Sequence, residues 1–306
     1  ARLAASVPPL FEMTRIQTNR LGATLGIFWM VLATLTGAAT GAAVRKLSMD
    51  LGLFELVFFR TLIAVMVLTP WLVRQSTANF AASTRLAPLY LVRAGLGFLG
   101  ITFGFYAFGN VPVADVFSLQ FTTPLFTIVL AVMVLGERVG ARGWIAVLVG
   151  FSGALVILRP GFAVISLGSL AAMVSAIFYA GANVSIRVLA RSESSYAITA
   201  YANILMLPVA LVGAVYSWTT PEWHHVPWII GLGTLNALNQ ICIARAIAAA
   251  DARVVQPFNF LRLPWGVVLG FMLFDELPDL WTWIGAAIIF AGSYEVFQRE
   301  ARKGLP

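Results

Sequence analysis

Long apolar runs, separated by short polar or Pro/Gly segments, fill this chain from end to end. A helix needs about 20 apolar residues to cross the roughly 30 Å hydrocarbon layer of a bilayer. Ten runs approach or reach that length: 22–44, 52–73, 87–109, 113–135, 143–158, 166–188, 196–217, 227–249, 254–274 and 280–297. The runs are continuous and lack the period-2 alternation of membrane-barrel strands. The pattern predicts an all-α membrane protein of ten transmembrane helices. The longest connections, 74–86 and 218–226, are too short for a soluble domain.

Composition supports this picture. Of the 306 residues, 60% are apolar and 11% are charged, where soluble domains carry about 25% charged and about 45–50% apolar. Twenty Lys+Arg against thirteen Asp+Glu give a net charge of +7. A basic stripe interleaved with aromatics would suggest nucleic acid, but the basic residues sit in the short connections, so no nucleic-acid partner is expected. With the N-terminus placed inside, Arg2, Arg15, Arg20, Arg74, Arg85, Arg138, Arg142, Arg187, Arg191, Arg253, Arg299, Arg302 and Lys303 fall on the cytoplasmic side. Arg45, Lys46 and Arg159 fall outside, and Arg60, Arg93, Arg245 and Arg262 lie within runs. That bias predicts both termini in the cytoplasm. Residues 1–20 lack the apolar core of a signal peptide and read as a cytoplasmic tail, as do 300–306. The single cysteine, Cys242, excludes an internal disulfide and disfavours a metal cluster.

The chain also repeats. Pro124, Leu135-Gly136-Glu137, Trp144 and Gly153 are answered by Pro264, Phe274-Asp275-Glu276, Trp283 and Gly292. Glu-to-Trp and Glu-to-Gly spacings are identical in the two copies. The offset equals five runs, an odd number, so the second copy points the other way. Two inverted five-helix repeats, 21–160 and 161–299, are thus expected, as in alternating-access transporters.

Phe105-Tyr106-Ala107, Pro112-Val113-Ala114-Asp115-Val116, Thr123-Pro124, Gly136-Glu137-Arg138, Trp144 and Gly153 together resemble the EamA-type module of the drug/metabolite transporter superfamily. Pro264, Glu276, Trp283 and Gly292 match it more loosely, with Asp275 where the motif has Gly. The resemblance covers residues 20–300. It implies a ten-helix secondary transporter of the bacterial inner membrane, similar to YddG-like exporters of amino acids and aromatic metabolites, with a small-molecule substrate, no cofactor and a monomer in the bilayer. Vitamins, nucleosides and sugar-phosphates remain open as substrates.

Polar side chains within spans face the bundle interior or a cavity. Asn236, Asn239 and Gln240 share one face of the eighth run, and Tyr179 and Asn183 share one of the sixth. Gln120 and Asn259 precede the two prolines at matching places. These faces read as a substrate pocket or as interhelical hydrogen-bond glue. Arg262 lies too deep to snorkel easily and is a candidate for a substrate carboxylate. Arg245 and Arg93 read as snorkelling residues, and Glu55 and Arg60 as an external-end anchor. Trp29 and Trp265 lie deep enough to wall a pocket; Trp71, Trp218, Trp223, Trp228 and Trp281 read as interfacial belt residues. Pro124 and Pro264 each remove a donor inside a span and mark candidate hinges. Glu137 and Glu276 read as loop-fixing carboxylates, with proton coupling as the alternative.

Other features carry less. Gly95-Leu-Gly97-Phe-Leu-Gly100 fits GxGxxG but follows no strand, so it reads as small-residue packing with Gly104, like Gly22/Gly26 and Gly37/Gly41. His224-His225 reads as a solvated external loop. No nucleophile, metal motif or P-loop is present, which disfavours an enzyme and an ATP-driven pump. A membrane-embedded lipid enzyme or a receptor remains a minor alternative.

Overall fold

The structure, a computed structural model, describes residues 10–74, 86–137, 139–159, 166–190, 192–193, 195–250 and 252–303. Arg2, Arg85, Arg138 and Arg191 lie outside these residues, as do the tails 1–9 and 304–306, and nothing of the Trp71 side chain is described. The first half runs α1 (Leu10–Leu47), α2 (Leu53–Arg74), α3 (Ala87–Asn110), α4 (Val113–Gln120), α5 (Thr123–Leu135) and α6 (Ala141–Leu158). The second runs α7 (Leu167–Leu189), α8 (Ser195–Tyr216), α9 (Val226–Ala249), α10 (Ala252–Val255), a 3₁₀ segment (Gln256–Leu261), α11 (Arg262–Phe274) and α12 (Leu280–Lys303). Every described element is helical. Seven helical stretches among the described residues are long and apolar enough to cross a membrane, and Gly143–Leu158 is apolar but shorter. Helix α1 begins at Leu10, twelve positions before the first apolar run; no Gly or Pro intervenes to stop it before Gly22.

Helix pairing is two-fold. Helix α1 packs on α9 as α3 packs on α7; α2 packs on α8, and α6 on α12; α1 meets α11 as α5 meets α7. Exchanging the halves maps this set onto itself. The repeat's own residues make the same point. A Cβ on Gly153 would lie 2.7 Å from the Gly285 carbonyl oxygen, and one on Gly292 would lie 2.7 Å from the Ala146 oxygen. Positions 146 and 285 are themselves counterparts, so the α6–α12 contact is made twice. Met133 and Met272, also counterparts, are 75% and 73% exposed, which places the same apolar face outward in each half.

The interior is built from small residues. Ala33, Ala38, Ala107, Ala172, Ala176, Ala180, Ala210 and Ala246 are all essentially inaccessible, while Leu148, Leu170, Val212 and Phe271 lie exposed. That inversion is what lipid demands: acyl chains are as apolar as leucine, so close backbone approach rather than hydrophobic transfer holds the helices together. Gly22 against the Ala249 carbonyl, at 2.8 Å from a built Cβ, shows how close α1 and α9 come.

Candidate functional site

Both interrupted spans break at matching positions, and the breaks touch. Helix α4 stops at Gln120 and α5 restarts at Thr123. Pro124 has no N–H to return to the Gln120 carbonyl. The Thr123 hydroxyl donates to that oxygen instead, at 2.6 Å, and the Thr122 hydroxyl to the Leu119 oxygen, also at 2.6 Å. Ser293 on α12 donates to the Phe121 oxygen at 3.1 Å. In the second half the 3₁₀ segment replaces the break, and Pro264 falls in the first turn of α11, where backbone donors lack helical partners in any case. Neither proline bends a continuous helix; each begins the downstream piece. The rings of Phe121 and its counterpart Phe260 meet with centroids 4.7 Å apart. Discontinuous helices at the midplane are where membrane transporters expose backbone and polar groups.

Around this junction the structure gathers four of the candidate residues. Tyr179, near the middle of α7, has its ring against Gly100 of α3: a Cβ there would sit 3.2 Å away. Its hydroxyl lies within electrostatic reach of three guanidinium groups, those of Arg60 (α2), Arg93 (α3) and Arg262 (α11). Arg262 also stands over the Phe117 ring at 5.8 Å. A Cβ on Gly37 of α1 would lie 3.0 Å from both Arg262 Nε and Asn239 Nδ2, so the missing side chain at 37 is what lets both donors approach α1. Asn239 donates to the Ala33 carbonyl. Asn236, one turn before it, is buried and accepts from Arg60 Nη2 at 2.9 Å. Arg93, Tyr179, Asn239 and Arg262 all keep part of their surface accessible although helices surround them, as residues lining an internal space do.

Gln120 joins from one side. Its amide donates to Ser175 Oγ at 3.3 Å, and Ser175 donates to the Gly100 carbonyl at 2.7 Å. Gly100 and Gly104 thus seat Tyr179 and Ser175 against α3, whereas Gly97 meets Met206 and Arg93. Trp265 shares a face of α11 with Arg262, and its indole N–H is buried without an acceptor. Asn259 is half-buried in the 3₁₀ segment, Gln240 is half-buried on α9, and Asn183 is exposed one turn beyond Tyr179. Trp29 sits apart, with Arg245 stacked over it at 4.6 Å, in a separate cluster with Met30, Cys242 and Val255. That contact gives Arg245 an aromatic partner.

Arg60 and Arg93 are the residues that sequence reasoning misplaced. Both lie about two turns into their helices; Arg93 read as snorkelling and Arg60 as an external-end anchor. Arg60 is only 8% exposed, so its head does not reach water. The usable signal was Asn236 and Tyr179 on facing helices, which no periodicity reveals. Glu55 has nothing to do with Arg60: fully buried, it accepts from the Gly52 backbone N–H at 2.9 Å and fixes the start of α2.

Ion pairs tie the halves together nearer the helix ends. Arg45 at the end of α1 pairs with Glu276 at 2.6 Å and donates to the Gly109 carbonyl at 2.6 Å. Arg159 pairs with Asp279, and Thr282 donates to Asp115 at 2.9 Å. At the opposite end, Arg187 of α7 lies 3.8 Å from Glu137. His225 belongs to the first set: Glu222 N donates to its Nδ1 at 3.1 Å, so Nε2 carries the proton and faces Asp50 Oδ2 at 3.2 Å. With His224 and Asp50 it forms the one grouping among the described residues with metal-ligand proximity. Both of its ring nitrogens are already engaged, which disfavours metal binding.

A separate cavity of about 350 Å³ is lined by Leu53, Phe103, Tyr106, Leu167, Leu170 and Val174 among others. Its lining is almost wholly apolar and carries no charged group, with Thr102 and Tyr106 as its hydroxyl-bearing residues.

Comparison with known proteins gives one consistent result. The family described as the EamA-like transporter family matches residues 24–159 and again residues 166–298. A riboflavin transporter of Vibrio cholerae is 33% identical over 285 residues, covering 91% of this chain and 94% of that protein. A pseudopaline exporter of Pseudomonas aeruginosa is 30% identical over 269 residues, covering 86% and 93%. An S-adenosylmethionine uptake transporter of Rickettsia bellii is 27% identical over 278 residues, covering 91% and 95%. These relatives carry names other than amino-acid exporter.

Proposed function

We propose a function from one premise: the chain belongs to the EamA-like transporter family. It is a small-molecule transporter of the membrane, and its relatives are named transporters, not enzymes. The finer reading is a secondary transporter of ten spans in two inverted halves, set in a bacterial inner membrane with both termini cytoplasmic. Substrate binds at the junction of the two interrupted spans, against Tyr179, Asn239 and Arg262, and the halves rock about it to expose it alternately to each side.

The observation that carries this reading is the set of three arginines within the spans, Arg60, Arg93 and Arg262, each with a buried guanidinium nitrogen that has no acceptor, near the paired helix breaks. A cation within a span is expensive unless it serves a ligand or a counter-ion. The substrate is therefore a small metabolite with at least one acidic group. An amino acid, aromatic ones included, meets that minimum through its carboxylate, and export is the direction drawn from the resemblance. The names of the relatives include both an exporter and an uptake transporter, so vesicle orientation belongs in the test. Purified protein in proteoliposomes should move a small acidic metabolite, and Arg262→Ala should abolish that flux while the protein still inserts. Normal flux in Arg262→Ala would move the site elsewhere.

A further inference from the structure

We propose that the central site takes an organic anion bearing two or more acidic groups, carboxylate or phosphate, and that Arg60 and Arg93 bind it together with Arg262. This rests on the site reading above and narrows it to a substrate class.

The argument is one of uncompensated charge. A guanidinium keeps its proton in proteins, so three of them bring three positive charges into a region walled by helices. Among the described residues none of the three has a carboxylate partner. The two acidic side chains within the first half's spans lie elsewhere: Glu55 Oε2 takes the Gly52 backbone N–H while its Oε1 is buried without a donor, and Asp115 takes Thr282. Arg60 is held by Asn236 through Nη2, yet its Nη1 is buried with no acceptor. Arg93 Nε, Arg262 Nε and the Trp265 indole N–H are likewise buried and unanswered. Arg60 is more than nine-tenths buried. Three guanidiniums and an indole, each with a buried donor that lacks an acceptor, in a family whose members carry small molecules, form a site whose acceptors arrive with the ligand. One carboxylate would answer one fork and leave two cations facing each other. Two acidic groups, each able to accept two parallel N–H bonds from a fork, match the set far better. The alternative, a purely structural triad, predicts internal counter-ions, and the described residues supply none.

The test uses the purified full chain in detergent and the same preparation in proteoliposomes, with citrate and a sugar bisphosphate as acidic probes. Tyrosine, lysine and riboflavin serve as comparison probes. Citrate or the bisphosphate should raise the melting temperature, and the comparison probes should not; which of the two acts distinguishes carboxylate from phosphate. Arg60→Met and Arg93→Met should each weaken the effective acid by about tenfold or more, and the ligand-free melting temperature of Arg93→Met, which strands no hydrogen-bond partner, should equal or exceed that of the parent because an uncompensated cation has been removed. Arg60→Lys should recover part of the affinity. Stabilisation by tyrosine, lysine or riboflavin with none from the acids would overturn the inference, whichever variants fold. So would ligand-free melting that falls in Arg93→Met. Flux separates the two readings: acids that bind but are not moved refute transport and leave the site; neutral metabolites that are moved while acids neither bind nor compete refute the site and leave transport.

Discussion

Arg45 and Glu276 join the end of the first helix of one half to the α11–α12 connection of the other, 2.6 Å apart. Arg187 and Glu137 occupy the corresponding places with the halves exchanged, at 3.8 Å. The first pair is the tighter and more buried of the two. Under the alternating-access reading, the end carrying Arg45 is closed in this structure. Glu276→Gln should open it. A cysteine placed at position 109 or 277 should then label faster from that side, and stability should fall by about 1–2 kcal/mol through the stranded guanidinium. The exchanged pair Arg45→Glu with Glu276→Arg should restore slow labelling. Unchanged labelling in Glu276→Gln would show that this contact does not latch the two halves.

The carboxylate of Asp275 stands where the first half has Gly136, and both residues adopt left-handed backbone, with φ of 56° and 66°. Each is the residue that ends its helix. A side chain there is strained by about 1 kcal/mol relative to glycine. Asp275→Gly should therefore raise the melting temperature. Gly136→Ala, with open space around its Cβ, should lower it by a comparable amount through backbone strain alone. Equal melting of Asp275→Gly and parent would show that the aspartate compensates.

Gly153 and Gly292 hold α6 and α12 at backbone contact, whereas Gly95 and Gly231 have nothing within 4 Å of a built Cβ. Gly153→Ala and Gly292→Ala should each destabilise the protein by about 2 kcal/mol or more, since no flexible side chain can yield. Gly95→Ala and Gly231→Ala should be neutral or stabilising by up to about 1 kcal/mol, from helix propensity. Chemical denaturation in detergent would rank the four.

Gly37 leaves room for Arg262 and Asn239 against α1. Gly37→Val should displace both and reduce flux at least as much as Asn239→Ala, with insertion unimpaired. Transport measured at matched protein levels checks this. Flux at parental rate in both would show that neither Asn239 nor the space at 37 serves the substrate.

Much of the fold can be read from the amino-acid order because lipid imposes length and polarity on every span. The Glu137/Glu276 and Gly153/Gly292 matches correspond to paired contacts in three dimensions, while seven of the apolar runs form helices long enough to cross a membrane among the described residues. The site is less legible. Tyr179, Asn239 and Arg262 announce themselves as polar groups in apolar runs, but Arg60 and Arg93 near helix ends look the same whether they snorkel or turn inward. Only the helix facing them decides, and that is set by packing of small residues such as Gly97 and Gly100. Trp29 shows the converse: its depth suggested a pocket wall, and its neighbour Arg245 claims it instead. Asp50, fifty residues into the chain, pairs with His225 across the bundle, a relation no local pattern contains.

Phe121 meets Phe260, its own counterpart, at the point about which the halves exchange. A residue there experiences the same surroundings in either arrangement of the helices, so it can act as a pivot but cannot favour one arrangement. Any preference for opening to one side of the bilayer must arise where the copies differ, at pairs such as Gly136 with Asp275. Under the alternating-access reading, off-axis positions can retune the resting direction of the protein without disturbing the Phe121–Phe260 contact.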